Sequence, residues 1–165
     1  MKKSILSVLI IACMLSITGI AFGDADIQKD PSCKYCGMNR TQFAHSRMVV
    51  EYEDGSSLGT CSIHCLAIEL IVNMDKTPSS LKVGDFNSKK LIDAEKAFWV
   101  IGGNKPGVMT KRAKWAFENK ADAEKFIAEN GGSLSTFDEA MKAAFDDMYA
   151  DSKMIREKRK MMKKK

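Results

Sequence analysis

Residues 96–137, KAFWVIGGNKPGVMTKRAKWAFENKADAEKFIAENGGSLSTF, decide the fold. KAFWVIGG (96–103) reads as a strand closed by glycines, and KRAKWAFEN (111–119) as a second strand. KADAEKFIAEN (120–130) has helical spacing, with Ala123, Phe126 and Ile127 on one face and Gly131 and Gly132 as its C-terminal stop. SLSTF (133–137) is the closing strand. The order is strand, strand, helix, strand.

The preceding half has the same order. FAHSRMVVEYEDGSSLGTC (43–61) is two strands around a turn: Met48–Tyr52 is rich in β-formers and EDGSS supplies the turn chemistry. SIHCLAIELIVNM (62–74) repeats apolar residues at Ile63, Ala67, Leu70, Ile71 and Met74, the spacing of a helix that Ser62 or Thr60 can cap. TPSS (77–80) breaks it, and LKVGDF (81–86) is a short strand. DEAMKAAFDDMYADSKMIREKRK is a final helix, with Asp138 as the expected cap. Neither half alternates strand and helix as a parallel sheet requires. The expected class is α+β: two tandem β-β-α-β units with small antiparallel sheets, over 24–86 and 87–137, then a C-terminal helix and basic tail over 138–165.

The N-terminus reads as an address. Lys2 and Lys3 precede an uncharged apolar run, and Ala21 and Gly23 are placed for cleavage ahead of Asp24. Residues 1–23 are expected to be a signal peptide. A lipoprotein box with Cys13 as the lipidated residue is the second reading, disfavoured because the apolar run continues past it. Either way the mature chain is expected to be exported, to the periplasm.

The formal charge of +5 is concentrated in KMIREKRKMMKKK, and the rest is near neutral. A basic excess confined to the tail of an exported chain excludes nucleic acid as the expected partner. It leaves a solvated tail, or weak contact with an anionic membrane surface or acidic partner. Met154, Met161 and Met162 in that tail could collect a soft metal, but the lysine-rich solvated reading is favoured.

Four cysteines remain after the signal peptide: Cys33, Cys36, Cys61 and Cys65. An even count in an exported chain suggests disulfides, yet a domain of this length needs no staples, and C-x2-C followed by C-x3-C is metal-ligand spacing. Gly37 allows a loop to wrap an ion. Cys61 ends a strand and Cys65 lies one helical turn on, so both face one side. A C-x2-C-G loop facing a strand-to-helix C-x3-C is the plan of a treble-clef metal knuckle. Four thiolates suit Zn(II), whereas thiolate with thioether suits Cu(I). Met38, and Met109 in the glycine-rich KPGVMTKR turn, are therefore the discriminating residues. His64 is either a further ligand, a partner to one, or an exposed polar residue. His45 reads as ordinary surface, and Trp99 and Trp115 as core.

CGM in an exported chain, followed by LIDAEKAFWVIGGNKPGVM and AKWAFENKADAEKFIAENGG, resembles the NosL family, accessory proteins of nitrous oxide reductase. The resemblance runs from about Cys33 to Phe137. It implies a periplasmic or membrane-attached Cu(I) chaperone of two similar β-β-α-β units, a fold akin to that of organomercurial lyase, and a copper-receiving partner such as nitrous oxide reductase. It also implies Cys36 and Met109 as copper ligands, with Met38 as a third. Better-known members carry a single cysteine in the first motif. Cys33, Cys61, His64 and Cys65 are additions that resemble TRASH- and YHS-type heavy-metal modules.

Other classes stand beside this one. A thiol–disulfide oxidoreductase would use Cys33 and Cys36, but redox C-x2-C pairs open a helix in a βαβ setting, and here the motif precedes the first strand. A lyase acting on organomercurials would need an acidic carboxylate beside paired cysteines, and none is evident. A structural zinc knuckle is the remaining alternative. The reading adopted is a metal-binding protein, not an enzyme.

Overall fold

The structure is a computed structural model that describes residues 25–163. The expected signal peptide and Cys13 lie outside the described residues. In chain order the elements are α1 (Ala25–Lys29), β1 (Met48–Tyr52), β2 (Ser57–Thr60), α2 (Ile63–Val72), β3 (Pro78–Gly84), β4 (Leu91–Asp93), β5 (Phe98–Ile101), β6 (Lys114–Phe117), α3 (Lys120–Asn130), β7 (Ser133–Ser135) and α4 (Phe137–Met162). They make two antiparallel sheets, ordered β2-β1-β3-β4 and β6-β5-β7. The class is α+β, as the strand–strand–helix–strand order implies. Among the described residues no helix is long and apolar enough to cross a membrane.

Three local expectations are corrected. TPSS does not only break the helix: Pro78 opens β3, opposite Tyr52. A proline is tolerated at the first residue of a strand, where no ladder N–H is needed from it. Leu91–Asp93, too short to give a periodic signal, pairs with β3 as the edge of the first sheet, so that sheet extends beyond residue 86. The last helix starts at Phe137, and its cap is Thr136 rather than Asp138. The Thr136 hydroxyl accepts from the Glu139 N–H while the Glu139 carboxylate accepts from the Thr136 N–H, a reciprocal capping box. Asp138 instead lies in the first turn, where a carboxylate favours the positive end of the helix.

Strand alternation divides the second sheet between two cores. Trp99 and Ala116, directly opposite each other, face inward with Met48 and Val50 of β1, Leu66 and Ala67 of α2, and Phe137 and Ala140 of α4. This first core joins both sheets. Val100 and Trp115, also opposite, face the other way with Phe117, and α3 covers them with Ala123 and Phe126. Cys33, Cys61 and Cys65 belong to this second core. Trp99 and Trp115 are both buried. His45 is not ordinary surface: it is half-buried, its ring centroid 5.4 Å from that of Trp115 and 5.8 Å from that of Phe86.

Helix α2 lies between the first sheet and α4, and residues 63–67 are all buried. Its core stripe is Ile63, Leu66 and Ala67, with Leu70 partly buried; Ile71 and Met74, expected on the apolar face, are exposed.

Candidate metal centre

The first two cysteines sit on a knuckle. Ser32 and Asn39 form a β-bridge, the Cys33 N–H donates to the Met38 carbonyl at 2.9 Å, and the Gly37 N–H donates to the Cys33 carbonyl at 2.8 Å. Gly37 has φ +76°, the left-handed conformation that glycine adopts without steric penalty. This tight path turns Cys33 and Cys36 to one side.

Arg40, fully buried, holds the knuckle against the body. It donates to the Asp26 carboxylate at 2.7 Å, to the carbonyls of Asp26 and Asp30, and to the Thr60 carbonyl at 3.1 Å, one residue before Cys61. Arg47, also buried, donates to the same Asp26 carboxylate at 2.9 Å. Gly59 makes room for this clamp, since a Cβ there would lie 2.3 Å from the Arg40 guanidinium.

Cys61 directly follows β2, and Cys65 lies in the first turn of α2. Ser62 occupies the N-cap position between them, but its side chain makes no capping bond; its carbonyl accepts from the N–H groups of Cys65 and Leu66. The Sγ atoms of all four cysteines lie within 4.8 Å of one another, with Cys36 and Cys61 at 3.3 Å and Cys61 and Cys65 at 3.7 Å. All four are free thiols. Cys33, Cys61 and Cys65 are buried, and Cys36 is half-buried.

The four thiols shift one another's proton affinity. Hydrogen bonds from Cys36, Cys61 and Cys65 hold the Cys33 thiol far below its ordinary value, against the cost of burial. At Cys36 the contact with Cys33 pushes upward, but Cys61 and Cys65 outweigh it and the thiol is lowered. Hydrogen bonding with Cys33 and then Cys36, with burial, pushes Cys61 and Cys65 up. Full deprotonation of such a cluster requires a cation at its centre.

Glu69, buried on α2, fixes the knuckle from the other side. Its carboxylate accepts from the hydroxyls of Tyr35, within the C-x2-C loop, and of Tyr52 on β1 at 2.9 Å, and from the Asn73 amide at 2.9 Å. Neither Glu69 nor the Asp26 clamp was legible as part of the site. The only hint was an acidic residue one turn beyond Cys65, inside an otherwise apolar stripe.

Cys36 also opens onto a cleft of 370 Å³ that Met38 and Met109 line. Both methionines are half-buried. Met109 has φ +62°, one of two non-glycine residues in the left-handed region among those described. A backbone held there costs of order 1–3 kcal/mol and persists only where its surroundings demand it.

His64 is set apart from the cysteines. It is buried, with Nδ1 3.7 Å from Asp151 Oδ2 on α4, longer than a hydrogen bond, and both atoms lack a hydrogen-bond partner. Burial lowers its pKa, and the Asp151 charge offsets this only in part. His64 borders a smaller cavity of 180 Å³ together with Cys36, Cys65 and Met109. The structure thus brings together Cys33, Cys36, Cys61 and Cys65, places Met38 and Met109 beside Cys36, and leaves His64 outside the sulfur cluster. Met154, read from sequence as tail, lines the same cleft as Met38 and Met109.

Among solved structures, the crystal structure of the copper chaperone NosL from Shewanella denitrificans is similar to this chain. It is 27% identical, with a TM-score of 0.54 over 66% of this chain and 87% of that one. No curated protein sequence matches at a significant level. The NosL family profile matches residues 24–145, well over half of the sequence, spanning the knuckle, both sheets and the first turns of α4. The chain therefore belongs to the NosL family.

Proposed function

We propose that this protein is an exported copper chaperone that binds Cu(I) at the cysteine cluster and hands it to a periplasmic metalloenzyme, with nitrous oxide reductase as the client the family resemblance implies. The observation that carries the reading is the convergence of four free thiols within 4.8 Å, of which the half-buried Cys36 borders the larger cleft lined by Met38 and Met109. Thiolates and thioethers select Cu(I) over hard cations. Three buried sulfurs retain the ion. The half-buried Cys36 gives an incoming ligand a place to attack, so copper can leave by exchange of one ligand at a time. The work is binding and transfer, and no bond of a substrate is made or broken. The basic end of α4 offers a surface for an acidic client or anionic lipid.

The same geometry favours one rival. Four mutually close thiols with three fully buried also suit a closed structural Zn(II) site. Anaerobic titration of the reduced protein against a bicinchoninate-type chelator separates the two. The expected result is Cu(I) binding that competes with the chelator and displaces any Zn(II). Tight Zn(II) binding with no measurable Cu(I) binding would establish the structural knuckle instead. A gene neighbourhood containing a nitrous oxide reductase operon would identify the client.

A further inference from the structure

We propose that the metal-free cluster closes by a disulfide between Cys36 and Cys61, and that Cys36 is the sulfur at which a dithiol protein of the exported compartment reopens it. This inference rests on the copper reading above: a linked pair has lost two thiolate ligands, so a reduction must precede loading. The two Sγ atoms lie 3.3 Å apart and both residues are free thiols. A disulfide needs about 2.05 Å. Cys36 sits in the glycine-turned knuckle and Cys61 between β2 and α2, so neither is fixed inside a regular element that resists this closure. The pairing crosses between the two cysteine motifs, unlike the Cys33–Cys36 pairing of a redox C-x2-C.

Access selects the same sulfur. Cys33, Cys61 and Cys65 are buried and Cys36 is half-buried, so a reactant from outside meets Cys36 first. Cys61 and Cys65 are also close, at 3.7 Å, but both are buried and neither can begin an exchange. Arg156 and Arg159 border a cavity that Cys36 also lines, and Arg159 donates to the Cys36 carbonyl at 3.3 Å. Positive charge there favours the approach of a thiolate. In closing, the Cys36 thiol loses its proton and attacks one sulfur of an oxidant disulfide, expelling the other as thiolate. The Cys61 thiol then loses its proton and attacks Cys36 Sγ, expelling the oxidant's second thiolate. The pair gives up two electrons and two protons, and the oxidant disulfide becomes a dithiol. In reopening, one thiolate of a dithiol reductant attacks Cys36 Sγ and expels Cys61, and the reductant's second thiol resolves the mixed disulfide. Cys33 and Cys65 stay thiols throughout. Bound Cu(I) engages the sulfur electrons that these attacks use, so loaded protein resists oxidation.

The test mixes reduced, metal-free mature protein with one equivalent of dithiobis-nitrobenzoate, a disulfide whose released thiolate is coloured. Two coloured anions are expected per protein, the second expelled by Cys61. Trypsin cuts after Lys34 and so puts Cys33 and Cys36 in separate peptides. After alkylation of the remaining thiols, mass spectrometry is expected to show Cys36 joined to Cys61, with fragmentation distinguishing Cys61 from Cys65. Cys36→Ser is expected to slow the first release at least tenfold, and one equivalent of Cu(I) to slow it as much in wild type. Dithiothreitol is expected to restore Cu(I) binding to the oxidised protein. A first bond between any other pair, or one anion released with the label retained, overturns the proposal and leaves the copper reading standing. Oxidised protein that binds Cu(I) as tightly as reduced protein also overturns it. Absence of Cu(I) binding by the reduced protein overturns the copper reading alone, since the release stoichiometry and the mapped bond need no metal.

Discussion

The Sγ atoms of Cys36 and Cys61 lie 3.3 Å apart although the residues are 25 positions apart in sequence. One belongs to a glycine-turned loop and the other to the end of a strand, and Arg40 and Glu69 hold the two segments in register. This contact turns two local cysteine pairs into one site. It also singles out Cys36, which belongs both to the cluster and to the methionine cleft.

Cys36→Ser is therefore expected to cost more Cu(I) affinity than Cys33→Ser. A difference of about tenfold, equivalent to about 1.4 kcal/mol, is expected in chelator competition. Equal losses at all four cysteines would show a symmetric four-thiolate site and remove the special role of Cys36.

Met109→Ala separates a ligand from a packing residue. Met109 is half-buried beside the second core. Its removal is expected to cost apo stability only about 1 kcal/mol, below the 2–5 kcal/mol of a fully buried methionine, while weakening Cu(I) binding. Thermal melts of the apo protein read beside a copper titration check this. A large loss of stability with wild-type copper affinity would make Met109 a packing residue.

Asp26→Asn probes the clamp behind the knuckle. The Asp26 carboxylate is shared by two buried guanidiniums, and its loss leaves Arg40 facing backbone carbonyls. Breaking a buried charge pair from one side costs about 3–5 kcal/mol, so the melting temperature is expected to fall by about 10 °C or more. A melt within about 2 °C of wild type would show that the clamp contributes little.

His45 supplies a pH dependence. Burial first, and the nearby Lys89 charge second, lower its pKa in the folded state. The unfolded chain thus binds the proton more readily, so the stability His45 contributes is present above its ordinary value of 6.5 and is lost as pH falls through that value toward the lower folded one. Melts between pH 7.5 and 5 are expected to show a shallower loss for His45→Phe than for wild type. His64, also lowered by burial, retains the remaining slope. Identical slopes in the two proteins would show that His45 is not the titrating group.

The sequence by itself determined what depends on neighbours along the chain. The alternation of β1, the helix over 120–130 with its glycine stop, and the C-x2-C-G and C-x3-C spacings are local patterns, set by backbone periodicity and glycine conformation. Only tertiary structure decided which surfaces those elements cover. Leu91–Asp93 is a strand only because β3 offers it an edge. Ile71 has helical spacing yet is exposed, while Glu69 is buried, because the opposing walls of α2 are the first sheet and the far end of the chain. His45 left the surface when Phe86 and Trp115 closed around it. Met154 sits in a basic, tail-like segment, and its place in the cleft follows from the path of α4 back across the knuckle, where Arg159 reaches Cys36. Burial depends on contacts between residues up to 123 positions apart, and periodicity within one segment carries no information about them.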